Sequence, residues 1–96
     1  MLSREDFNLK LGKKIKEIRE DRNLSLDKLG EKTGLNLDKS TLSAIENGKR
    51  RISAFQLYIV AEALNVKMAD LFREFDAVES GKELASESDL DNLDKI

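Results

Sequence analysis

The apolar residues of this chain recur at helical spacing. Phe7, Leu11, Ile15 and Ile18 follow one another at intervals of four, four and three residues, which puts them on one face of a helix. The pattern predicts a first helix over about residues 4–21. Shorter segments over about 26–32 and 39–46 follow. A fourth, about 54–64, carries Phe55, Leu57, Tyr58, Val60, Ala61 and Leu64. A fifth, about 68–76, carries Met68, Leu71, Phe72 and Phe75. Beyond a break at Ser80-Gly81, Leu84, Leu90, Leu93 and Ile96 lie thinly among acids, compatible with a short last helix near 88–95.

One helix-start signature appears four times. In Leu2-Ser3, Leu24-Ser25, Leu37-Asp38 and Ile52-Ser53, an apolar residue precedes a capping side chain. The cap oxygen accepts an otherwise unpaired backbone N–H. The apolar residue packs on Phe7, Leu29, Leu42 or Leu57 and sets the entry angle of the chain. Gln56 completes a capping box with Ser53. Gly34 is expected to end the second helix, and Asn47-Gly48 the third. The prediction is an all-α chain of five helices with short connections.

Composition narrows the chemistry. With 96 residues and 40% hydrophobic content, the chain can form one modest core but not a two-lobed enzyme cleft. Cysteine and histidine are absent, which removes thiol nucleophiles, disulfides, Cys/His zinc sites and imidazole acid–base catalysis. Carboxylates are scattered over polar faces, and no glycine loop cradles a phosphate. No catalytic residue, metal ligand or cofactor site is therefore expected. Tyr58 and the four Phe fall at core spacing rather than forming a stacking platform for single strands. No apolar run spans a membrane, and the charged start MLSREDFNLK lacks the apolar stretch of a signal peptide, so a cytoplasmic protein is expected.

Charge changes the picture again. The net −2 conceals a body, residues 1–75, with 15 Lys+Arg against 12 Asp+Glu, and a tail, residues 76–96, with 2 against 7. A basic body followed by an acidic tail leaves phosphate binding open despite a pI near 5.2, because what matters is the local patch.

Two short helices joined by a tight turn, the second ending in Asn-Gly and a basic run, describe a helix-turn-helix. Residues 11–72 resemble the Cro/C1-type (XRE) helix-turn-helix domain of phage repressors and bacterial regulators. The resemblance is carried by Leu11-Gly12-Lys13-Lys14-Ile15-Lys16-Glu17-Ile18-Arg19, by Leu24-Ser25 with Leu29, by Thr33-Gly34-Leu35 and by Ala61-Glu62-Ala63-Leu64-Asn65-Val66. Its most specific stretch is Ser40 to Arg51, STLSAIENGKRR. The chain departs from the family at Leu26, where Gln is usual, at Gly30, where Ala is typical, and at Ile52, where Pro is common. Its turn through Asn36-Leu37-Asp38 is about two residues longer than usual.

The resemblance implies a lambda-repressor-like domain over residues 1–75 whose third helix enters the major groove of double-stranded DNA. Lys39, Ser40, Thr41, Ser43 and Ala44 then face base edges: Lys39 toward guanine, the hydroxyls as donors or acceptors, Ala44 against a thymine methyl. For Ser40 and Thr41, capping of the helix is an equally good reading. Asn47, Lys49, Arg50 and Arg51 are expected on phosphate, as are Ser25 and Lys28 at the start of the second helix. Arg19 and Glu46 are expected to form a structural salt bridge between the first and third helices. Leu29, Leu35, Leu42, Ile45, Leu57, Val60, Ala61, Leu64 and Leu71 are expected in the core.

The function this implies is a sequence-specific transcriptional regulator, commonly a repressor, binding a pseudo-palindromic operator as a homodimer. The fifth helix and the tail are candidates for the dimer contact. In a second reading the chain is an antitoxin-type protein whose acidic tail neutralises a basic protein partner. In a third, the tail folds over Lys49–Arg51 as an autoinhibitory DNA mimic.

Overall fold

The computed structural model describes residues 2–73 and 75. Five helices follow in order: α1 (Arg4–Asp21), α2 (Leu26–Thr33), α3 (Lys39–Glu46), α4 (Ala54–Ala63) and α5 (Met68–Leu71). No strand occurs among the described residues. The first four helices begin and end within one residue of the sequence expectation. The fifth, expected over about 68–76, is shorter: α5 ends at Leu71, Phe72 is its C-cap in a turn, and helical backbone recurs at Arg73 and Phe75. Residues 74 and 76, the break at Ser80-Gly81, the short helix near 88–95 and the acidic tail lie outside the described residues.

All four predicted caps form. Ser3 Oγ accepts from the Asp6 N–H at 3.0 Å and Ser25 Oγ from Lys28 at 3.0 Å. Asp38 Oδ1 accepts from Thr41 at 2.8 Å. Ser53 and Gln56 exchange two bonds of 3.1 Å in a capping box.

The helix ends share a device that the sequence signals only at Gly48. The Leu24, Lys49 and Val66 N–H groups donate back to the carbonyl oxygens of Arg19, Ala44 and Ala61 at 3.1, 2.9 and 3.0 Å. Each bond spans a left-handed residue: Asn23 at φ 57°, Gly48 at 75° and Asn65 at 62°. Asn tolerates this region better than other non-glycine residues, so it substitutes for Gly after α1 and α4.

One core takes apolar side chains from every element. Leu11, Ile15 and Ile18 of α1 meet Leu29 of α2, Leu42 and Ile45 of α3, Leu57, Val60 and Ala61 of α4 with its C-cap Leu64, and Leu71 of α5. Full burial of each such leucine or isoleucine is worth about 1.5–3 kcal/mol. The α2–α3 turn runs from 34 to 38 and also contributes Leu37, which is buried. Leu35, expected inside from the sequence, is only half-buried at the rim. The long turn makes this difference by pressing the Leu37 backbone onto Gly30, where a Cβ would stand 2.5 Å from the Leu37 carbonyl oxygen.

The aromatic residues divide into two groups. Phe7 stacks with Phe72 and Phe75 at centroid separations of 6.1 and 5.0 Å, closing the α1–α5 side of the core. Phe55 and Tyr58 depart from the core spacing read in the sequence, at 63% and 49% exposure. The neighbouring α4 positions Leu57, Val60 and Ala61 point inward. Phe55 and Tyr58 are thereby left on the outer side.

Candidate nucleic-acid interface

Three contacts with α1 set the position of α3. Gly12 lies where any Cβ would collide with the backbone carbonyl oxygens of Ile45 and Glu46, so the two helices touch backbone to backbone. Gly48, just past α3, rests on Leu9, whose Cα would stand 2.9 Å from an added Cβ. Two turns beyond Gly12 along α1, Arg19 and Glu46 form a buried two-bond fork. Arg19 Nε donates to Glu46 Oε2 at 2.7 Å and Nη2 to Oε1 at 3.0 Å. Arg19 Nη1 also donates to the Leu24 carbonyl oxygen at 2.7 Å. One guanidinium therefore ties α1, the turn into α2 and the end of α3. Its hydrogen bonds to the Glu46 carboxylate raise the Arg19 pKa despite burial, so the guanidinium is charged throughout the ordinary pH range.

With Leu42, Ile45 and Glu46 turned inward, α3 presents its other side outward. Lys39 and Ser40 are exposed on its first turn, and Thr41, Ser43 and Ala44 are half-buried. Asp38 caps the helix, which bears on the two readings of Ser40 and Thr41. The Thr41 backbone N–H donates to the Asp38 carboxylate, and this bond first, then the nearby Thr41 hydroxyl and the Arg50 charge, hold the Asp38 pKa below the usual range. The Thr41 backbone N–H thus serves the cap. Ser40, one residue into the helix, stands exposed beside it.

Asn47, at the end of α3, donates from its side-chain amide to Ser43 Oγ at 3.5 Å. Lys49, Arg50 and Arg51 follow, all exposed. Arg50 and Arg51 border an open depression shared with Ile52, Ser53 and Gln56 at the N-terminus of α4. Cationic side chains and a helix N-terminus both favour an anion there. Ser25 and Lys28 lie at the start of α2. The Ser25 oxygen accepts the cap bond, and its own proton remains a donor. The Lys28 ammonium stands 3.7 Å from Glu31, both side chains well exposed, so the pair is weak.

The role of Gly12 goes beyond anything its place in the family pattern implies. Its one signal in the sequence is a glycine inside an amphipathic helix, one residue after a core leucine, which points to close backbone approach. Leu9 and Thr33 carry no comparable signal. The Thr33 hydroxyl, buried, donates to the Gly30 carbonyl oxygen at 2.7 Å and accepts from the Leu35 N–H at 3.1 Å, bracing the start of the α2–α3 turn.

Two helices joined by a five-residue turn (34 to 38), the second braced against α1 and followed by exposed cations, make this a helix-turn-helix domain. The chain belongs to the helix-turn-helix family, whose profile matches residues 15–71. This is a family of DNA-binding transcriptional regulators, not of enzymes. The chain is 29% identical over 72 residues to the control protein C.MunI of a Mycoplasma species, covering 74% of this chain and 95% of that protein. A solved HTH_3-family transcriptional regulator from Vibrio cholerae superposes with a TM-score of 0.71 at 25% identity, over 83% of this chain. This chain spans 44% of the Vibrio protein's length. The clp gene regulator ClgR of Corynebacterium glutamicum superposes with a TM-score of 0.67 at 26% identity, over 90% of this chain and 87% of ClgR. Among the described residues no helix is long and apolar enough to cross a membrane.

Proposed function

We propose that this protein is a cytoplasmic, sequence-specific regulator that binds a pseudo-palindromic operator as a homodimer and represses by occupying it. Residues 1–75 form the DNA-binding domain. The observation that carries this reading is the bracing of α3. The Arg19–Glu46 fork and the Gly12 contact hold its inner side, while Lys39, Ser40 and Asn47 are left to solvent and three exposed cations follow. A recognition helix needs this rigidity, because base-edge hydrogen bonds fail when donors are misplaced by about an ångström.

Lys39, Ser40, Ser43 and Ala44 read base edges, and Thr41 supports them through the cap. Asn47, Lys49, Arg50 and Arg51, with the N-terminus of α4, hold one phosphate run; Ser25 and Lys28 hold another. The two copies of α3 enter successive major grooves about 34 Å apart. The base-reading set has few long bidentate side chains, so DNA shape contributes to specificity.

Selection of bound sites from random duplex DNA is the test. The expected outcome is enrichment of a two-fold-symmetric site. Replacing Lys49, Arg50 and Arg51 together with Gln should then weaken binding to every sequence. The slope of log K against log salt should become shallower by about one for each phosphate that is no longer neutralised. Failure to enrich any site, with weak binding even at low salt, would overturn the proposal.

A further inference from the structure

The fold covers α4 on only one side, as it does its neighbours, but α4 is poor in charge on both. α4 carries a single charged residue, Glu62, among ten, whereas α1 carries eleven among eighteen. A helix apolar all round is normally enclosed all round. Here Leu57, Val60 and Ala61 are buried on the inner side, while Phe55 and Tyr58, one turn apart, stand 63% and 49% exposed with half-buried Ile59 beside them. Single exposed apolar residues are ordinary on a surface. Glu62, one turn beyond Tyr58 on the same face, takes the Tyr58 hydroxyl as a partner and raises its pKa. Two aromatics on a helix face whose single charge lies at its C-terminal end mark a contact surface.

We propose that this face is where two copies of the chain meet, α4 packing antiparallel on α4 across a two-fold axis. The inference rests on the homodimer of the proposed function and deepens it by locating the contact. Three observations favour a second copy as the occupant. A two-fold axis brings each central residue against its own kind, which demands a centre free of like charges, and Phe55, Tyr58 and Ile59 provide one. The two ends of α4 are oppositely charged: exposed Arg50 and Arg51 precede it, and Glu62 lies near its end. An antiparallel pair therefore turns Arg51 toward Glu62 of the partner subunit. The competing face is occupied within the chain, since Leu71 is buried and Phe72 and Phe75 stack on Phe7.

Sedimentation equilibrium on the full chain, without DNA, tests this. The wild type should show a reversible monomer–dimer equilibrium. Phe55→Glu and Tyr58→Glu alter exposed positions, so helicity, and Tm at concentrations where the wild type is monomeric, should persist while the dimer dissociation constant rises at least tenfold. Phe55→Ser provides a milder change should either glutamate disturb folding. Arg51→Glu and Glu62→Arg should each weaken the dimer, and the double variant should recover it. Tyr58 gives an independent readout, because the chain has one tyrosine and no tryptophan. Iodide quenching of its fluorescence should fall as protein concentration rises. A wild-type dimer indifferent to Phe55→Glu and Tyr58→Glu would overturn the α4 contact and leave the homodimer standing. A chain that stays monomeric at every concentration would overturn both.

Discussion

Arg19 shows what one side chain contributes when its partners come from three elements. Its fork on Glu46 and its bond to the Leu24 carbonyl engage three of the guanidinium's five N–H donors. Both residues are buried, with side-chain exposures of 11% and 4%, so neither charge has water to fall back on. Glu46→Ala should therefore cost about 3–5 kcal/mol of folding stability, because it strands a buried charge. Urea unfolding followed by circular dichroism measures it. A loss below about 1 kcal/mol, the range of an exposed pair, would show that Arg19 swings out to solvent when unpaired. The pairing of Arg19 with Glu46, 27 residues apart, is legible only through the family pattern. Amphipathic spacing alone assigns neither residue a buried partner.

At the level of elements, start signals are easier to read than stop signals. Ser3, Ser25, Asp38 and Ser53 each act within three residues of themselves, so local sequence is enough. Asn23 and Asn65 work by adopting a left-handed backbone that most L-residues avoid, and Asn alone is a weaker sign of that than Gly. An Asn followed by Leu24 or Val66 at the end of an apolar run does repeat the pattern of Gly34-Leu35. Gly12 is the element-scale feature with the largest consequence. In an isolated helix Gly→Ala stabilises by about 1 kcal/mol. At position 12 the added methyl meets the Ile45 and Glu46 carbonyls, which are backbone and unable to turn aside. Gly12→Ala is expected to destabilise instead, by about 1–3 kcal/mol, with α3 displaced from α1. Thermal unfolding decides the sign, with exposed Lys16→Ala as a control expected to stay within about 0.5 kcal/mol.

Over the whole molecule, charge is divided along the chain. Residues 1–75 carry 15 Lys+Arg against 12 Asp+Glu, and residues 76–96 carry 2 against 7. DNA approaching the basic body meets both fields. Ending the chain at residue 75 should speed association with duplex DNA several-fold at low salt. The gain should fade as ionic strength rises and the Debye length shrinks below about 10 Å. Stopped-flow association rates across a salt series test this, and equal rates for the two chains at low salt would show that the acidic segment does not act on the DNA-binding surface. Much of the core is as legible as the charge. The inward stripe Leu11, Ile15, Ile18 and the α4 residues Leu57, Val60 and Leu64 follow from their period. Leu37 takes the buried place expected for Leu35 because the turn between α2 and α3 obeys no period, and its path depends on where the Leu37 backbone meets Gly30.

By itself, the sequence determined the helices, their caps, the apolar face of each and the basic run after α3. These are effects of neighbours within one or two turns. The tertiary structure decided the rest. It set the angle of α3 through the Gly12 contact and the Arg19–Glu46 fork, and stacked Phe72 and Phe75 on Phe7. It also left Phe55 and Tyr58 uncovered, although they look as apolar in sequence as their buried neighbours. Burial depends on what packs opposite a side chain. A local pattern can specify which side of a helix is apolar, but only the assembled fold determines which apolar sides find a partner.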